Sequence, residues 1–163
     1  MEININKVFD SLLGKQVVNL SRLALVNYDK SWEILTDTFV FALSNGQYFQ
    51  ALADQEKVIF KEIVSNKEEY MVSFPIEANE LITISPIEEQ IEVPFIINSI
   101  TEIWSGKKDL LLVAVKFFDE DRENIFSLLT ETDDIVLLKE EENNLIIEQM
   151  IFDYHLIIHH WYD

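Results

Sequence analysis

The dipeptide Asn45-Gly46 lies between two runs of strand-forming residues, and no other short feature constrains the chain so strongly. Before it, Ile34–Leu43 contains Thr36, Thr38, Phe39, Val40 and Phe41; after it comes Tyr48–Ala53. β-Branched and aromatic side chains suit a pleated, half-buried surface. Asn and Gly both tolerate the positive φ that a two-residue type I′ turn needs. The segment is predicted to be an antiparallel hairpin.

The remaining sequence extends this pattern. Ile5, Val8, Phe9 and Leu12 follow helical spacing and Gly14 supplies a stop, so a short helix is predicted over Asn4–Leu13. Strands are predicted at Val17–Val26 and Val58–Val64. In the second half they are predicted at Phe95–Trp104, Leu110–Phe118, Asn124–Leu129 and Ile135–Leu138. The middle segment predicts short strands at Tyr70–Phe74, Leu81–Ser85 and Gln90–Val93, with Glu77, Glu80, Glu88, Glu89 and Glu92 in solvated turns and edges. Pro75, Pro86 and Pro94 punctuate that segment, since proline cannot donate to a ladder. The tail Leu145–Trp161 fits helical and strand patterns, and its Ile and aromatic content favours strand.

Phe49 precedes Val58 by nine residues, and Phe126 precedes Ile135 by nine. Each half runs strand, polar turn, return strand, acidic connection and apolar strand. The predicted fold is α+β and mainly antiparallel β. Two related β-meanders form one core, with a short N-terminal helix. One domain is expected over 1–163, with an internal duplication over about 9–64 and 95–139.

Composition narrows the function. The chain has no cysteine, which excludes disulfides and thiolate chemistry. Its start, Met1 to Lys7, lacks a basic stretch followed by an apolar one. The longest charge-free run, Thr38–Ala53, is too short and polar to span a bilayer. A cytoplasmic location is expected. Net charge is −18. Residues 1–61 hold six Lys/Arg against seven Asp/Glu, whereas residues 62–163 hold six against 23. Such a field repels phosphates and anionic membranes, so neither nucleic acid nor membrane is expected as a partner. A basic protein is attracted.

Motifs for chemistry are missing. There is no Gly-x-Ser-x-Gly and no glycine-rich phosphate loop. His155, His159 and His160 cluster near the end, but in a strand the first two stand roughly 13 Å apart. Asp119–Glu123 opens like a calcium loop, yet Asn124 and Thr130 occupy the positions that need Gly and Glu. No catalytic residue, metal ligand or cofactor is therefore assigned. The acids of the second half cluster on loops: Asp119, Glu120, Asp121 and Glu123; Glu131, Asp133 and Asp134; Glu140, Glu141 and Glu142. These ten are the candidate partner-binding residues. The 119–123 and 140–142 loops are two connections apart, so a meander places them at one end of the sheet. Aromatic anchors such as Trp104, Phe118 or Phe126 would be needed beside them.

In size, acidity and absence of cysteine and catalytic motifs, the whole chain resembles small bacterial immunity proteins, which neutralise toxic enzymes by covering a basic active site. The resemblance implies a non-enzymatic inhibitor with an acidic face. It rests on general properties and transfers no individual residue. Two alternatives stand beside it: a structural or oligomer-forming domain, and a metal- or carboxylate-dependent hydrolase.

Overall fold

The runs of strand-forming residues on either side of each polar turn fold back on one another throughout the computed structural model. It describes residues 8–55, 57–63, 70–105, 111–131, 133–139, 145–149 and 157–162. Helix α1 (Val8–Leu12) is followed by β1 (Gln16–Val26), β2 (Trp32–Leu43), β3 (Tyr48–Asp54), β4 (Lys57–Ile63), β5 (Leu81–Pro86) and β6 (Phe95–Ile96). Then come β7 (Ser99–Trp104), β8 (Leu112–Phe118), β9 (Asn124–Glu131), β10 (Asp134–Leu138), a helical turn α2 (145–149) and β11 (Ile157–Tyr162).

The strands form two antiparallel sheets. The first has the order β4-β3-β2-β1-β5, with β6 on the other end of β1. The second has the order β10-β9-β8-β7-β11. In each, four strands meander and the fifth returns to the free edge of the first. The expected architecture of two related meanders, mainly β with little helix, is the one observed.

The inner faces meet in one core. Phe39, Phe41 and Phe49 from the first sheet face Phe117, Phe126, Val115 and Leu128 from the second, all buried. Phe41 pairs with Phe49 across β2–β3, and Phe117 with Phe126 across β8–β9. Ring centroids of Phe41 lie 5.3 Å from Phe117 and 6.0 Å from Phe126. Aromatic rings remove large areas from water and favour such tilted and stacked contacts. Helix α1 plugs one end through Phe9 and Leu12, and Gly14 (φ 73°) stops it in the left-handed conformation.

The outer faces are covered too. On the first sheet, Leu23, Leu25, Leu35 and Val40 pack under Tyr70, Val72 and Phe74. This segment is coil with a bend at 73–74, where a strand was expected. The fully buried amide of Gln50 holds it, donating to Met71 O and accepting from Met71 N, both at 2.6 Å. On the second sheet, Ile103, Ala114, Leu129 and Leu138 pack under Ile147 of α2.

Several local expectations change. The 44–46 loop has three residues: Leu43 N donates to Gln47 O, Gly46 N donates to Leu43 O, and only Gly46 has positive φ (86°). It is a tight turn closed by a left-handed residue instead of a type I′ turn, because the extra residue accommodates the strand twist. The 95–104 run breaks into β6 and β7. The tail divides into α2 and β11, since Ile147 docks on a sheet face whereas 157–162 pairs with β7. Residues 90–93 form no strand.

Candidate functional site

The charged residue in the apolar run Leu20–Val26 is Arg22, and it organises a cleft. The β1–β2 register jumps there. Ser21 pairs with Val40, but Leu23 pairs with Leu35, so residues 36–39 bulge from β2 opposite a single residue. A bulge leaves carbonyls without ladder partners. The guanidinium supplies them, donating to Thr36 O at 2.8 Å and Thr38 O at 3.0 Å. It also reaches across the sandwich to Ile135 O of β10 at 2.9 Å. Thr38 Oγ1 completes the knot, accepting from Leu23 N and donating to Leu35 O. Arg22 thus bolts the two sheets together.

Carboxylates surround this bolt. Glu89 Oε1 lies 3.9 Å from the guanidinium. Asp134 Oδ1 accepts a 2.6 Å hydrogen bond from Thr36 Oγ1, and Asp37 accepts one of 2.6 Å from Ser73. Burial lowers the Arg22 pKa below its ordinary value, and Glu89, Asp134, Asp37 and Glu88 oppose that shift. Four carboxylates thus face one guanidinium, so negative charge remains in excess. Glu88, Glu89 and Asp134 border a cleft with a volume of about 420 Å³.

Beyond the cleft the first sheet continues without a facing strand among the described residues. Leu81, Val26 and Trp32 occupy one row across β5, β1 and β2, and Thr83, Ala24 and Ile34 occupy the next. Residues directly opposite in an antiparallel sheet share a face. The following row pairs Arg22 with Ser85, and both line the cleft with Ile34. The floor therefore runs outward from Arg22 to an apolar shelf, with Trp32 60% and Leu81 69% exposed. Exposed apolar side chains thus lie beside a charged rim.

The sequence-assigned acids divide between two places. Asp119, Glu120, Asp121 and Glu123 occupy the β8–β9 turn. There the Asp119 carboxylate caps its own loop by accepting from Asp121 N and Glu123 N. Glu131, Asp133 and Asp134 occupy the β9–β10 turn, at the other end of β9, which spans on the order of 25 Å. The two groups do not share one rim. Only the second adjoins the cleft, through Asp134. Glu140, Glu141 and Glu142 lie outside the described residues, as does His155. Of the proposed anchors, Phe126 is sealed in the core. Trp104 packs against the core, and its indole donates to Glu102.

Arg22, Asp37, Glu88, Glu89 and Trp32 carried no motif. The available signal was compositional: residues 70–105 contain no Lys, Arg or His at all. Among the described residues no three His, Asp or Glu side chains converge to hold a metal, and no helix is long and apolar enough to cross a membrane. In comparisons with known proteins, the chain matches no family model, no curated sequence and no solved structure.

Proposed function

We propose that the protein is a non-enzymatic binding protein that captures a basic protein partner, in the manner of an immunity-type inhibitor. The carrying observation is the excess of carboxylate around Arg22, beside exposed Trp32 and Leu81. Opposite charge steers the encounter, and a desolvated aromatic or aliphatic anchor supplies residence time. Arg22 is already bonded to three carbonyls, so the free capacity of the cleft lies in its acids and apolar floor. A Lys or Arg side chain entering between Glu88, Glu89 and Asp134 meets opposite charge, and its aliphatic stem lies on the shelf.

Tagged protein incubated with lysate of its own host at low salt tests this. The reading expects a basic protein to be retained and released by salt. Retention should be lost in the Glu88→Gln/Glu89→Gln/Asp134→Asn variant and kept in the Glu120→Gln/Asp121→Asn/Glu123→Gln variant. Equal loss in both would reduce the interaction to bulk charge and overturn the cleft as its seat. The acids of the far turn would then regain their standing as contact residues.

A further inference from the structure

Strand β5 bounds the first sheet, with β1 on one side and, among the described residues, no strand on the other. A sheet edge presents unpaired N–H and C=O groups. Proteins usually blunt it with charge, proline, a bulge or brevity. The opposite edge follows that practice, since β4 carries Lys57, Lys61 and Glu62. β10, an edge of the second sheet, has only five residues and opens with Asp134. β5 differs. Leu81-Ile82-Thr83-Ile84-Ser85 has no charge, and six unbroken pairs hold it to β1. Leu81 is 69% and Ile84 37% exposed. Proline enters only at its last residue, Pro86. A straight, uncharged, β-branched edge is built to accept another strand.

The flanks of β5 select the occupant. Glu77 and Glu80 precede the strand, Glu88 and Glu89 follow it, and no cation lies within residues 70–105. A second copy paired antiparallel would set the Glu77/Glu80 end of one chain against the Glu88/Glu89 end of the other. That contact repels, in a chain of net charge −18. An extended segment with an apolar or β-branched centre and Lys or Arg at both ends meets opposite charge at both. We infer that β5 takes up such a basic segment as an added strand. The inference rests on the capture reading above and extends it: Ser85 and Pro86 wall the cleft, so the added strand leads into Glu88 and Glu89.

The test uses the full chain and the labelled peptide KKVTVTVKK, followed by fluorescence anisotropy at low and high salt. A second peptide is N-methylated at its three central amides, which removes ladder donors without changing charge. Binding of the parent peptide should weaken about tenfold or more on methylation. In an antiparallel ladder, one of Thr83 and Ile84 directs its N–H to β1 and the other directs it outward. Of Thr83→Pro and Ile84→Pro, the variant that keeps the parent melting temperature should lose the peptide. Equal binding of both peptides would overturn the added strand and leave charge-driven capture standing. Absence of binding by either peptide, with no salt-sensitive partner in the lysate test, would remove both. A sedimentation dimer that the peptide fails to dissociate would assign the edge to a second copy and overturn the inference.

Discussion

The two sheets share one strand order and diverge in length. β1 and β2 have 11 and 12 residues, whereas their counterparts β7 and β8 have 6 and 7. The matched parts supply the core, and the unmatched part of the first sheet supplies the shelf that carries Trp32, Ile34 and Leu81. The lesson is that the candidate site lies where the two meanders stop matching. Arg22 stands at that boundary: outward of it the sheet has no facing strand among the described residues, and inward it is sandwiched.

If both meanders depend on one core, a cut at its centre should melt both together. Phe126 touches Phe39 and Phe41 from the first sheet and Phe117 from the second, with centroids 5.8, 6.0 and 5.0 Å away. Phe126→Ala is expected to cost about 3–5 kcal/mol. Urea unfolding followed by Trp fluorescence and by far-UV circular dichroism should give one coincident transition at lower urea. Two separated transitions would show that the sheets stand independently.

Arg22→Met tests the boundary. It keeps the aliphatic stem but strands the Thr36, Thr38 and Ile135 carbonyls and leaves four carboxylates without their shared cation. A loss of about 1–3 kcal/mol is expected, as for leaving hydrogen-bond acceptors without their donor. A variant as stable as the parent at neutral pH would show that the bolt is not needed.

Much of the fold was legible in the sequence because alternation and turn residues are local signals. Asn45-Gly46 marked a real hairpin, and β1 to β4 lie within a residue or two of their expected bounds. The site was less legible because its parts meet through tertiary geometry. Arg22 and Ile135 are separated by 113 positions, and no pattern links them. Glu88 and Glu89 looked like ordinary turn acids because a sequence does not show which turn faces a cleft. The tail fitted two periods because it contains both kinds of element. The acids at 119–123 and 140–142 were expected at one end of the sheet, and 140–142 lie outside the described residues, whereas β9 separates 119–123 from 131–134.

The outer covers sharpen the comparison at a smaller scale. One is held by a polar clamp, Gln50 on the Met71 backbone, and the other by an apolar plug, Ile147. Ile147→Ala should cost about 2 kcal/mol through the cavity it leaves. Gln50→Leu should cost about 1–2 kcal/mol, since it strands the N–H and C=O of Met71. Hydrogen exchange should separate them. The glutamine variant should expose amides at 70–74, and the isoleucine variant those at 145–149, with the other cover unchanged in each case.

The second sheet also carries a half-buried cation, Lys116, whose pKa burial lowers while Glu148 of α2 opposes the shift. Between its folded and unfolded pKa values the unfolded chain binds more protons, so stability rises with pH in that window. At neutral pH the penalty for the buried charge is fully present. Lys116→Met should therefore raise the melting temperature at pH 7. The advantage should fade in alkaline solution as the parent lysine loses its proton. A constant advantage across pH would assign the effect to packing alone.

The smallest effects test whether the matching turns are equivalent. Residues 43–47 and 119–123 close with the same pair of hydrogen bonds, and each places its fourth residue in the left-handed region: Gly46 at φ 86° and Arg122 at φ 62°. The β1–β2 turn repeats the arrangement with Lys30 at φ 65°. No atom lies within 4 Å of where a Gly46 side chain would start, so Gly46→Ala tests conformation without crowding. It should destabilise by about 1 kcal/mol. Arg122→Gly should have the opposite sign, stabilising by about 0.5 kcal/mol once the extra freedom of the unfolded chain is counted. Lys30→Gly should follow Arg122→Gly. Opposite signs at positions 46 and 122 mean that one backbone geometry underlies both turns and that only the residue filling it differs. A destabilising Arg122→Gly would mean that the arginine side chain contributes more at its turn than its backbone strain costs, and the two hairpins would then be alike in hydrogen bonding but not in energetics.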